Sequence, residues 1–298
     1  AQRFLDPFVA GVFAGQPEQL IARHAFPQLY EWEQQHGSII RGALKAAKAR
    51  KQEQAEQSQN ADPNNSQAGQ AKPRGIFNFR QGMATLPRTL ADKLGTSLLL
   101  NTPVSSLHYA AQTQTWRVEA GGETFETDTV VNTLPPWTWP KLNLQPEALQ
   151  KDFGLLPQLP FPPVAAVVLG YKQADVKHTL DGFGVLAPSR EQRQILGTLF
   201  VSSIFPERAP AGHVLLTSFV AGSRSPELFA QTDEQLSTLT QKELSALLNI
   251  TGFPVYQKVL RWEQAIPQYT AVYGPFSAGL DRLEQQWPGL YFGGNFRG

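Results

Sequence analysis

Three apolar runs in the middle of the chain constrain its fold more than any other feature. They are residues 164–169, 197–204 and 214–220, each bounded by glycine or proline. Runs this short and this bounded read as strands. In the third, a period of two puts Leu215, Thr217 and Phe219 on one face and Leu216, Ser218 and Val220 on the other. One helix interrupts the β pattern. Thr232 is its N-cap, Gln235 completes a capping box, and Leu236, Leu239, Leu244, Leu247 and Leu248 give the apolar face, with Gly252 as the stop. A further strand is expected over residues 255–262.

The flanks mix both periods. Residues 1–47 are expected to be mainly helical, with Leu20, Ala25, Phe26, Leu29 and Trp32 at mixed helical spacing and a second helix running from Ser38 into the lysines. From Lys45 to Lys72 the chain turns to Gln, Ala, Asn and Lys and loses its apolar period, which reads as a mobile insertion. Ile76, Phe77 and Phe79 form a short apolar strand or loop. Gly82 then opens a helix with Leu86, Leu90 and Leu94, closed by Gly95. Runs at 104–109, 115–119 and 123–128 surround a Gly121-Gly122 turn, the pattern of a β-hairpin. Residues 130–134 read as a buried strand stopped by Pro135-Pro136. The tail gives a helix around Leu280 and Leu283, then a strand over 290–292 that runs into glycines.

A length of 298 residues argues for about two domains. The fold class expected is α/β with mixed α+β character, in segments 1–47 (helical), 48–72 (insertion), 73–140, 141–262 (β-rich) and 263–298. The chain has no initiator Met and opens inside what reads as folded sequence, so it is expected to be a piece of a longer protein.

Several chemistries are excluded. A net charge of +1 argues against a protein built to neutralise nucleic-acid phosphates. With no cysteine there is no disulfide, thiolate metal site or Cys nucleophile. The five histidines (His24, His36, His108, His178, His213) form no HExxH and no i, i+3 or i, i+4 pair, so no metal site is expected. No GxSxG is present. Gly182-Phe183-Gly184-Val185-Leu186-Ala187 spells GxGxxA, but Pro188 follows where a dinucleotide fingerprint needs a helix. Gly293-Gly294-Asn295 is either a place where backbone approaches a ligand or an ordinary turn. The phenylalanines of the β-rich middle are core, with some free to line a wide apolar pocket.

Three stretches together resemble a known family. Phe4-Leu5-Asp6-Pro7-Phe8-Val9-Ala10-Gly11-Val12-Phe13-Ala14-Gly15 is the first. The second runs from Gly82-Met83-Ala84-Thr85-Leu86 to Asn101-Thr102-Pro103-Val104 and resembles the flavin amine oxidase superfamily. The third joins Leu180 to Pro188, Leu196-Gly197-Thr198-Leu199-Phe200, Phe205 to Pro210, Ile266-Pro267-Gln268-Tyr269 and Tyr291-Phe292-Gly293-Gly294-Asn295. That set is similar to the protoporphyrinogen oxidases of the plant and cyanobacterial-like branch.

The resemblance implies a partial FAD-binding domain, a β-rich substrate domain and part of a helical membrane-facing domain. It implies oxygen-dependent oxidation of protoporphyrinogen IX to protoporphyrin IX in heme or chlorophyll biosynthesis, in three two-electron rounds, with FAD as cofactor and dioxygen as acceptor. By matching motif, Gly11, Leu186, Leu199 and Phe219 would bind the tetrapyrrole. Val104 would touch the adenine end of FAD through its main chain, Trp262 would lie beside the flavin, and Gly294 and Asn295 would be near its ribityl or pyrophosphate region. No catalytic base is identified. The family's amino-terminal GxGxxG unit and its propionate-pairing arginine have no match in this chain, so the chain by itself is expected to be inactive. Homodimerisation and peripheral attachment to a bacterial, cyanobacterial or plastid membrane are implied as well. The rivals are a carotenoid desaturase or amine oxidase of the same superfamily, and a non-catalytic tetrapyrrole-binding module.

Overall fold

The computed structural model describes residues 4–59 and 78–297. They fall into two compact units, Ala1–Leu20 with Thr96–Gly298, and Ile21–Gly95. Helix α1 (Leu5–Phe13) opens the first unit.

The second unit is helical: α2 (Ala22–Ala25), α3 (Pro27–His36), α4 (Ile39–Gln59) and α5 (Thr85–Leu94). Gly42 has no side chain to hold α4 away from α3, and a methyl there would overlap Trp32. The expected insertion is corrected over its first part, because α4 continues to Gln59. Ala, Lys, Gln and Glu are strong helix formers, and propensity extends a helix where no apolar period marks it. The rest of that insertion, with Ile76 and Phe77, lies outside the described residues. Helix α5 stops at Gly95 as expected, and its leucine face is about half exposed.

The first unit contains β1 (Val104–Ala110), β2 (Thr115–Ala120), β3 (Glu123–Thr127), β4 (Val130–Asn132), β5 (Asn143–Gln145), α6 (Glu147–Gly154), β6 (Val164–Lys172), β7 (Gly184–Leu186), β8 (Ile195–Phe200), α7 (Val201–Ile204), β9 (His213–Ala221), α8 (Asp233–Leu248), β10 (Tyr256–Trp262), α9 (Tyr273–Gln286) and β11 (Leu290–Phe292). They build a four-stranded sheet β3-β2-β1-β5, an antiparallel five-stranded sheet β10-β6-β9-β8-β7, and a parallel pair β11-β4.

Three expected boundaries change. The run 197–204 is a strand only to Phe200, after which α7 turns the chain. Strand β4 is three residues long, and Val131 is exposed, not buried. Helix α8 ends at Leu248 because Asn249 takes the left-handed conformation, three residues before Gly252. Its capping box forms as expected, with Gln235 N donating to Thr232 Oγ1 at 3.3 Å and Thr232 N to Gln235 Oε1 at 2.9 Å. Within the GxGxxA segment, residues 184–186 form β7, and only a three-residue 3-10 turn, Ser189–Glu191, follows Pro188, not the α-helix that a dinucleotide fingerprint needs.

Two main cores result. Leu169, Ile195, Leu216 and Val220 from the five-stranded sheet are fully buried with Leu236, Leu244 and Leu248 of α8. Each such side chain contributes about 1.5–3 kcal/mol. The second core is aromatic: Trp116, Trp139, Trp287, Phe153, Phe276, Phe292 and Phe296 pack between the four-stranded sheet, α6, α9 and β11. A small third cluster of Ala10, Ala14, Val164 and Leu196 seats α1 on the five-stranded sheet.

Candidate functional site

The register of the five-stranded sheet decides which side chains share a face. Leu260, Ala166, Phe219, Gly197 and Leu186 are successive cross-strand partners, so they project to the same side. The next rung in one direction carries Trp262, Val164 and Ala221, and in the other Lys258, Val168, Thr217, Leu199 and Gly184. The opposite face is the one buried under α8. Burial in β9 alternates accordingly, with Leu216, Ser218 and Val220 inside and Leu215, Thr217 and Phe219 partly open.

Helix α1 lies along the open face. A cavity of about 310 Å³ forms there. Gly11, Val12 and Ala14 make one wall, Ala265 and Ile266 another, and Val164, Leu196, Phe219 and Trp262 the floor. No titratable side chain lines it. A methyl on Gly11 would overlap Leu186 Cδ2. Across the sheet a methyl on Gly197 would come within 3.0 Å of the same Leu186 atom. Two glycines therefore make room for one leucine beside the cavity.

Both ends of α1 are tethered. At its start, Asp6 Oδ2 accepts from Ser189 N at 2.7 Å. Arg224 lies 3.6 Å from Asp6 and donates through Nη1 to Ala187 O at 2.7 Å. Burial pulls the Arg224 guanidinium down from its usual pKa and the Asp6 carboxylate opposes that. At the other end, Ala14 O accepts from Ser223 N at 2.7 Å, and Phe13 O from Gln268 Nε2 at 2.8 Å.

A second locus lies at the carboxyl ends of the parallel strands β4 and β11. Asn132 is buried, and its Oδ1 accepts from Leu134 N at 3.0 Å. Its Nδ2 is buried with no hydrogen-bond partner, and such an orphan donor is costly unless something outside the chain satisfies it. Gly293 N donates to Asn132 O at 3.1 Å. Gly294 has φ +137°, and a methyl there would come within 2.6 Å of the Phe296 ring.

The structure thus brings Gly11, Phe219 and Trp262 into one cavity and sets Leu186 against it. Leu199 shares the face one rung away, outside the cavity lining. Val104 begins β1 in the other large sheet, and Gly294 and Asn295 follow β11. A larger cavity, about 460 Å³ and lined by Trp137, Phe153 and Gln264 among others, holds none of the residues expected from the sequence. Sequence reasoning missed Val164, Leu196, Ala265 and Ile266, because nothing in a pattern separates a cavity wall from a core. It also missed Asn132 and Gln268. Among the described residues no cluster of His, Asp or Glu could hold a metal ion.

A family model described as "Flavin containing amine oxidoreductase" matches residues 1–298. The chain is 33% identical to the mitochondrial protoporphyrinogen oxidase of Nicotiana tabacum, over 99% of this chain and 60% of that protein. It is 32% identical to protoporphyrinogen oxidase 2 of Arabidopsis thaliana, over 99% and 59%. It therefore spans about three fifths of the length of these relatives. A solved structure from Exiguobacterium sp. 255-15 superposes with a TM-score of 0.71 at 20% identity, covering 99% of this chain and 58% of that one, which is a likeness of fold.

Proposed function

The chain belongs to the flavin containing amine oxidoreductase family, and from that premise we propose that the whole protein is an FAD-dependent, oxygen-dependent protoporphyrinogen oxidase of heme or chlorophyll biosynthesis. This chain would supply the tetrapyrrole-facing part of it. One observation carries the reading. Gly11, Leu186, Phe219 and Trp262 come from four distant segments and meet on one open apolar face. A flat, largely apolar macrocycle suits such a face, and an aromatic ring against it adds about 0.5–1.5 kcal/mol beyond area burial.

The residues present fit part of a flavin. The unpaired Nδ2 of Asn132 offers a hydrogen bond at the carboxyl ends of two parallel strands, where open sheets hold their ligands. Trp262 offers a half-exposed indole at the cavity edge. When bound, the flavin supplies the redox chemistry. The chain's own residues orient the macrocycle and exclude water, which is why a cavity without acid or base is sufficient. An amine oxidase would need an aromatic cage, and here Phe219 and Trp262 are the aromatic lining residues.

Peripheral attachment to a bacterial, cyanobacterial or plastid membrane is part of the proposal. It is supported by α4, where Ile40 and Leu44 are exposed beside Lys45, Lys48 and Lys51. No described helix is long and apolar enough to cross a membrane. Homodimerisation rests on the resemblance.

The test is turnover by the flavin-loaded protein with protoporphyrinogen IX in air. Porphyrin fluorescence should rise in step with hydrogen peroxide. Porphyrin binding without turnover would favour the non-catalytic module, and oxidation of amines or carotenoids in its place would favour the rival enzymes.

A further inference from the structure

Gln268 is buried, with 4% of its surface exposed, in the loop between β10 and α9. Its amide donates two hydrogen bonds. One crosses to Phe13 O at 2.8 Å, at the end of α1, and the other is local, to Ile266 O at 3.1 Å, two residues earlier in the same loop. Helix α1 and this loop are two walls of the apolar cavity: α1 contributes Gly11 and Val12, and the loop contributes Ala265 and Ile266. Phe13 is the last residue of α1. The loop itself is anchored to the segment that leads into β6, since Ala265 N donates to Pro162 O at 3.2 Å and Gln268 N to Pro160 O at 2.9 Å. Gly15 leaves room for the amide, because a methyl there would overlap Gln268 Oε1.

We propose that Gln268 is a positioning residue that sets the width of the tetrapyrrole cavity by tying α1 to the loop wall that carries it, through one side-chain amide. The proposal rests on the reading of that cavity as the tetrapyrrole site. Both hydrogen bonds of the amide are donated to carbonyl oxygens, so the role requires a donor. Glutamate has the same shape. Ionised, it presents only acceptors to Phe13 O and Ile266 O. Protonated, it can donate to Phe13 O, the one bond that joins the two walls. The carbonyls favour the protonated form, so in Gln268→Glu the clamp should hold at low pH and open as pH rises through a raised carboxyl pKa.

The experiment measures binding of protoporphyrin IX dimethyl ester, whose propionates cannot titrate, by quenching of tryptophan fluorescence from about pH 5 to about pH 8, with circular dichroism at each point. The native protein should bind with a flat profile. Gln268→Glu should bind nearly as tightly at the low end and about tenfold more weakly at the high end, with its fold kept. A flat, native-like profile for Gln268→Glu would overturn the proposal. If that variant loses its fold at the upper pH, Gln268→Met, which is uncharged and has no donor, takes its place. Binding weakened about tenfold at every pH supports the clamp, and native binding overturns it. Native protein that does not take the ester contradicts the tetrapyrrole reading instead. The clamp is then read on the same variants with Nile red, an uncharged apolar dye, and the same outcomes decide it.

Discussion

A missing side chain at Gly11 does as much for the cavity as any side chain that lines it. The residue sits inside α1, where alanine is intrinsically the better helix former by about 1 kcal/mol. A methyl there would overlap Leu186, which is 41% exposed and has to shift beside the cavity to admit it. Gly11→Ala should therefore leave the melting temperature within a few degrees of native while raising the Michaelis constant for protoporphyrinogen roughly three- to tenfold. A large melting loss with an unchanged Michaelis constant would refute this account of the contact. At this scale the sequence was partly readable. Period two assigned Phe219 and Val220 to opposite faces, and the burial along β9 agrees. Gln268 was not readable as a clamp, because its partner Phe13 O lies 255 positions away and a single glutamine in a loop carries no pattern. Asn132 was hidden for the same reason, since an orphan amide is visible only in three dimensions.

Among the elements, those with a strong period and a clear stop were legible. Helix α8 shows its cap, its leucines and its hydrogen-bonded box just where Thr232 and Gln235 placed them. Elements set by propensity or by tertiary context were not. The continuation of α4 to Gln59 follows from helix formers without an apolar period, and α7 replaces the end of an apolar run that alone reads as strand. The same α4 carries the membrane proposal. Ile40 is 72% and Leu44 66% exposed, with Lys45 and Lys48 exposed beside them. Such a strip suits the interface of an anionic bilayer, where each cation contributes about 1 kcal/mol. The protein should co-sediment with vesicles containing phosphatidylserine and much less with phosphatidylcholine alone. Lys45→Glu combined with Lys48→Glu should weaken that binding more than about tenfold. Equal binding to both lipids, or an unaffected double variant, would remove the support that α4 gives.

Across the first unit, the proposed function rests on two faces of one sheet. One face and α8 make a closed core that holds the strands in register. The other stays open, and α1 and the 265–268 loop turn it into a cavity. The sequence showed four of its strands, though not β7 or their pairing, and which residues of β9 alternate. It could not show that α1, far away in the chain, would seat on it, because that contact is made by small residues, Ala10 and Ala14, without a periodic signal of their own. The central claim is that the Phe219 face holds the tetrapyrrole while the Val220 face holds the fold. Steady-state kinetics and thermal melting of Phe219→Ala and Val220→Ala, each with its flavin absorbance intact, test this most directly. Val220 is fully buried, so its truncation should cost about 2 kcal/mol, a melting loss of about 4–8 °C, and leave the Michaelis constant unchanged. Phe219→Ala should raise the Michaelis constant for protoporphyrinogen roughly tenfold and weaken flat inhibitors in parallel, with little melting loss. If Phe219→Ala melts the protein and leaves substrate and inhibitor binding as they were, Phe219 belongs to the core and the account is contradicted.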